Sequence, residues 1–162
     1  MRRLQALLLG LCALLAVGGC GEEGAASGAT VTVYVSAPLH GDLATTGRRI
    51  CDEAREQAAQ GNGDEELKLR VVCLDASGSH DSWTLAQVGA DARRATEDST
   101  AIAYVGEPDP RARRQSQPIL EAAGIADLGG MSGREAIARV RAALRDAGSD
   151  DPRQAVFDAV EG

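Results

Sequence analysis

Along residues 30 to 128 the apolar positions switch repeatedly between two spacings. Thr30 to Ala37, TVTVYVSA, is a β-branched run suited to a strand buried on both faces. From Leu43 to Gln60 the pattern becomes a helical stripe through Ile50, Ala54, Gln57 and Ala58, stopped by Gly61-Asn62-Gly63. Leu67 to Asp75, LKLRVVCLD, reads as a second strand. Trp83 to Glu97 places Leu85, Val88, Ala92 and Ala95 at helical spacing, with Ser82 or Asp81 expected as the N-cap. Ala101 to Gly106, AIAYVG, is the third strand.

Asp109 and Pro110 then open a third helix, since proline at the first helical position gives up a donor that has no partner there. Pro118 is expected to kink or divide it. Gly124 closes the segment, and Ile125 to Leu128 is long enough for a short fourth strand. Ser132-Gly133-Arg134-Glu135 is a capping box opening a helix with Ile137, Val140 and Leu144 on one face. Asp151-Pro152 starts a last short helix carrying Val156, Phe157 and Val160, and these two helices are expected to cover one face of the sheet. The rhythm predicts an α/β fold. It is a Rossmann-like open parallel sheet of three to four strands, with right-handed crossovers and helices on both faces.

The start of the chain follows another rule. Arg2 and Arg3 precede an apolar run from Leu4 to Val17, interrupted by Gln5, and Val17-Gly18-Gly19 sets small residues ahead of Cys20. Such a run falls short of the roughly 20 apolar residues of a spanning helix. Residues 1–19 therefore read as an export signal and Cys20 as the lipid-bearing first residue of a mature lipoprotein. Gly21 to Ala29 is small, polar and Gly-rich, so residues 20–29 read as lipidated cysteine and tether, and residues 30–162 as one folded domain. Localisation outside the cytoplasm, anchored to the membrane by lipid, follows.

Composition narrows the functions. The net charge of −7 becomes −9 once the two leader arginines are removed, which disfavours nucleic acid as a partner. Aromatic residues make up 2% of the chain, so the core must rest on Val, Ile, Leu and Ala. After Cys20 two cysteines remain, Cys51 and Cys73, both placed toward the same sheet edge. They read as a disulfide in an oxidising compartment, stabilising by roughly 3 kcal/mol, or as two buried thiols.

Chemistry for catalysis is sparse. His40 and His80 are the only histidines, and His40 lies in a turn away from any serine-nucleophile pattern. Ser132 has Gly130 before it but Arg134 where a nucleophile elbow needs its second glycine. Gly61-Asn62-Gly63 ends a helix instead of opening one after a strand, so it is no dinucleotide loop. Neither CxxC nor HExxH occurs, and the alternation of Asp75, Ser77, Ser79 and Asp81 lacks the glycine and distant glutamate of a calcium loop. A non-enzyme without metal or cofactor is expected.

VYVSAPLHG, LRVVCLDASG, WTLAQVGADARRATEDSTAIAYVGEPDP and QPILEAAGIADL, taken in order, resemble the first lobe of periplasmic solute-binding proteins of the branched-chain amino-acid type, the receptors of ABC importers. SGREAIARVRAALRDAGSDDPRQAVFDAVEG resembles that family's closing helix pair, which here follows the first lobe directly. The resemblance implies a membrane-tethered receptor binding a small solute, an amino acid or similar, and delivering it to an ABC permease. Ser36, Pro38, His40, Gly106, Glu107 and Ser132 would line the ligand site, and closure would need a lobe from a partner or a second copy in a homodimer. Glu107 and Asp109 stand where the family usually has serine or threonine, which argues against a bound carboxylate and for a cationic ligand or none. The alternative is a scaffold or interaction lipoprotein that keeps one lobe and binds protein.

Overall fold

A computed structural model describes residues 29–61, 67–78, 80–106, 108–147 and 151–162. The expected signal, Cys20, nearly all of the tether, and Glu107 lie outside the described residues. Strands β1 (Thr30–Ala37), β2 (Lys68–Asp75), β3 (Ala101–Val105) and β4 (Ala126–Asp127) alternate with helices α1 (Ala44–Gly61), α2 (Leu85–Thr96) and α3 (Pro110–Glu121). Helices α4 (Gly133–Ala147) and α5 (Pro152–Glu161) follow. All strand pairs are parallel, in the order β2-β1-β3-β4. This is the expected open parallel α/β sheet, with β1 inside it.

The side-chain alternation of β1 divides the interior in two. Val31, Val33, Val35 and Ala37 point to a core shared with Ile50 and Ala54 of α1, Ile137 and Val140 of α4, and Val156 of α5. Tyr34 points the other way, to a core with Leu74, Ala92 and Ala95 of α2, Tyr104, and Leu120 at the end of α3. The first crossover thus runs under one face and the next two over the other, and α4 and α5 thicken the first face, as the tail pattern suggested. Val33 and Val35 are fully buried, and each such side chain contributes about 1.5–3 kcal/mol. Opposite β1, Thr32 pairs with Ala101 and Val33 with Ala103, so β3 carries an extra residue at Ile102.

Local signals explain most element ends. Ser132 and Glu135 form the capping box: the Ser132 backbone donates to the Glu135 carboxylate at 3.1 Å and the Glu135 backbone to the serine hydroxyl at 3.3 Å. Gly124 adopts φ +64°, and past it Ile125 N donates to the Leu120 carbonyl at 3.0 Å, a Schellman ending that brings Leu120 and Ile125 into one core. Gly133 is where α4 crosses α1. A Cβ there would lie 2.0 Å from the Ile50 carbonyl oxygen and 2.6 Å from Ala54 N, so the two helices meet backbone to backbone.

Two expectations need correction. The N-cap of α2 is Thr84, not Ser82 or Asp81; its hydroxyl accepts from Gln87 N at 3.1 Å, which leaves Trp83 outside the helix. Of the two outcomes expected at Pro118, division does not occur: α3 runs continuously from Pro110 to Glu121. The proline forfeits one backbone bond there, while Leu120, two residues on, is fully buried and holds the last turn to the sheet.

Candidate functional site

Because the chain leaves β1 for β2 on one side and reaches β3 on the other, the connections diverge at the carboxyl ends of β1 and β3, where open α/β sheets present their ligand crevice. The segments after β1, β2 and β3 gather at this rim. Backbone bonds tie the first two together: Ala76 N donates to the Ala37 carbonyl at 3.1 Å and Asp42 N to the Asp81 carbonyl at 3.0 Å.

Asp75, the last residue of β2, organises the rim. Its carboxylate accepts from Leu39 N at 2.8 Å, from Ser77 N at 3.1 Å and from the Ser77 hydroxyl, and its other oxygen lies against His40 Nδ1. Desolvation works to raise its pKa, but the bonds from Ser77, Leu39 and His40 together outweigh it and lower the group to about 2. The loop after β1 is therefore held by a carboxylate of the neighbouring strand.

Ser36, one residue before the end of β1, faces inward: its hydroxyl donates to Asp91 of α2 at 2.8 Å, and Gln87 Nε2 donates to the second oxygen at 2.9 Å. Burial pushes the Asp91 carboxyl above its ordinary value, with the charge of Asp75 adding to that and the bonds from Ser36 and Gln87 opposing it. Gly106 is buried beside the Tyr104 ring. Ser132 serves the α4 cap, its hydroxyl 2.8 Å from Glu135. Of the residues nominated from sequence, Pro38 lines an open recess, His40 sits exposed on Asp75, and Ser36 and Ser132 bond within the protein.

That recess is a groove of about 220 Å³ between the start of α1 and the loops after β2 and β3. Pro38, Leu43, Thr46, Gly47, Ile50, Trp83, Pro108 and Asp109 surround it. Trp83 is braced from behind by Ala76, Val88 and Ala112, and the Arg111 guanidinium lies 5.4 Å from its ring centroid. Arg111 also pairs with Asp109 at 2.8 Å, and the carboxylate's other oxygen accepts from Arg111 N at 2.8 Å, so Asp109 caps α3 as expected. The Arg111 bonds hold the Asp109 carboxyl below its ordinary range.

The disulfide joins Cys51 in α1 to Cys73 in β2, with Cα atoms 6.1 Å apart. Cys73 lies beside Val35 of β1 and Cys51 follows Ile50, so the cross-link sits just beneath the groove. The bridge resolves the two readings of this pair.

Several other polar groups carry no sequence signature. Arg70, Asp98, Thr32 and Tyr34 form one network at the opposite end of the sheet, with Arg70 3.0 Å from Asp98 and the Tyr34 hydroxyl donating to Asp98 at 3.0 Å. Desolvation pulls the Asp98 carboxyl upward, yet hydrogen bonds from Thr100 and Tyr34 and the charge of Arg70 leave it below the usual range. Arg113 pairs with the buried Asp127 at 2.9 Å, and Arg141 donates to the Ala58 carbonyl near the end of α1 at 2.7 Å. Spacing in the chain offers no clue to partners this far apart. Among the described residues no cluster of three or more His, Cys, Asp or Glu side chains could hold a metal ion, and no helix is long and apolar enough to cross a membrane.

The fold is similar to that of solved binding proteins. A leucine-binding protein, LivK, from Thermotoga maritima aligns with a TM-score of 0.52 at 19% identity, over 61% of this chain and 27% of that one. A possible leucine/isoleucine/valine-binding protein from Rhodopirellula baltica aligns with a TM-score of 0.50 at 19% identity, over 62% of this chain and 27% of that one. The present chain therefore spans about a quarter of the length of these structures, and at such identity the likeness is one of fold. No protein-family model and no curated protein matches the sequence.

Proposed function

From the fold shared with these two leucine-type binding proteins, we propose that this protein is an extracytoplasmic solute-binding protein of an ABC importer, tethered to the membrane by lipid on Cys20. The observation that carries the reading is the groove at the β1/β3 switch point, where such sheets take ligands. In this reading the groove captures a small solute, an amino acid or one of similar size. Pro38 forms a wall. A partner or a second copy supplies the closing lobe, and a permease receives the solute.

A second reading, a scaffold lipoprotein that binds protein, is favoured by one observation. The polar groups of Ser36, His40 and Ser132 already bond to Asp91, Asp75 and Glu135. Thermal unfolding of the domain against a panel of amino acids and uncharged analogues separates the two. A solute at a hundred times its dissociation constant adds roughly 2.7 kcal/mol and a saturable rise in Tm. A flat melting temperature across the panel overturns the receptor reading and leaves the scaffold.

A further inference from the structure

We propose that the outer edge of β2 is an interaction surface whose partner is a second copy of this chain, added antiparallel across a two-fold axis so that the two sheets become one. The two edges of the sheet differ. At the β4 edge, two residues long, the outward amide of Asp127 already donates to the Glu161 carboxylate of α5 at 3.2 Å. β2 presents an edge of eight residues, in unbroken register with β1 and free of proline. Lys68 N donates to the Ala29 carbonyl and Ala76 N to that of Ala37. The even-numbered residues of β2 therefore turn their amides to β1, and Val71 and Cys73 turn theirs away from the sheet. Among the described residues nothing meets the outward backbone groups of those two. Val71, Val72 and Cys73 are half-buried, whereas every residue of β3 is buried.

An unpaired row of this kind takes up a further strand through main-chain hydrogen bonds. The charges of β2 select the occupant. The strand is basic at its start, with Lys68 and Arg70, and acidic at its end, with Asp75. A second copy laid antiparallel sets each end beside the opposite charge, and a parallel one would set like beside like. One register also suits the backbone. With the axis at Val72, Val71 of each copy faces Cys73 of the other, and their outward amides and carbonyls satisfy each other reciprocally. Val72 then meets its own counterpart on the α2 side, where an open cleft of about 630 Å³ between β2 and α2, bordered by Leu74, Ala90 and Arg94, leaves room for it. The contact leaves both grooves open, at opposite ends of the joined sheet, so it does not depend on the solute-binding reading.

Sedimentation of the full chain over a dilution series, with amide exchange followed residue by residue, tests the contact. The mass is expected to double with rising concentration, and exchange at Val71 and Cys73 to slow in step with it. Val71→Pro removes an outward amide and no bond to β1, a placement that an edge strand tolerates. That variant should keep the mass of one chain at every concentration while melting, when dilute, like the parent. If it melts early, Val72→Lys takes its place, since two ammonium groups then meet at the axis, and the same loss of doubling is expected. A mass that stays at one chain throughout the series overturns the proposal and leaves the edge to an extended segment of another protein. A dimer in which Val71 and Cys73 exchange as fast as in the single chain, or one that persists in the variants, overturns it as well, because the copies then meet elsewhere.

Discussion

Asp75 is the residue on which the geometry of the rim turns, and its removal gives a measurable result. The carboxylate receives four hydrogen bonds from the segments after β1 and β2 and is lowered to about 2 from an ordinary 3.8. A native pKa below the unfolded one means that the folded state binds the proton less readily. The stabilisation is therefore complete above about pH 4 and is lost as pH falls through about 2. A shift near two units corresponds to about 2.5 kcal/mol. The side chain is 23% exposed at the molecular surface, and solvent screening reduces the expected value to about 1 kcal/mol. Urea unfolding of Asp75→Asn should show a deficit of that size at pH 7, shrinking toward zero near pH 2. Other carboxylates titrate in both proteins and cancel in the difference. A deficit that stays constant from pH 7 to pH 2 would refute the argument, because the asparagine would then be losing shape and not charge.

Two further outcomes follow from the covalent features. Replacing Cys51 and Cys73 together by serine reopens a loop with a separation of 22 residues, which on the chain-entropy model lowers stability by about 3 kcal/mol; equal urea midpoints for variant and parent under oxidising conditions would contradict this. On the proposed lipid tether, replacing Cys20 by serine should release the protein from membranes into the soluble fraction; a variant that still sediments with membranes would count against that proposal.

The strands and helices were legible because each carries its own period: TVTVYVSA and AIAYV cannot form an amphipathic helix, and Ile50, Ala54 and Ala58 cannot line one face of a strand. Asp109 and Ser132 were legible as caps because their partners lie two and three residues away. Trp83 was placed on a helix since its spacing to the following apolar residues fits one, yet Thr84 caps first and turns the indole to the groove. Ser36 was nominated as a ligand hydroxyl through the family resemblance. Its partner, Asp91, is 55 residues away, and a hydroxyl in a sequence gives no sign of the direction it faces. The same holds for Arg113 with Asp127 and for Arg141 with Ala58, pairs fixed only when the layers close.

The division of β1 into a hydrocarbon side and a hydroxyl side also locks the strand in place. Thr32, Tyr34 and Ser36 find Thr100 and Asp98, in the segment after α2, and Asp91 within α2. Sliding β1 by one position would turn those three hydroxyls toward the valine-lined face. Each polar group stranded there costs about 1–3 kcal/mol, and three together rival the 5–15 kcal/mol by which an ordinary domain holds its shape. An insertion within β1 should accordingly be far harder to accommodate than one in the segment leading to it, so the central strand acts as the ruler from which its neighbours take their positions.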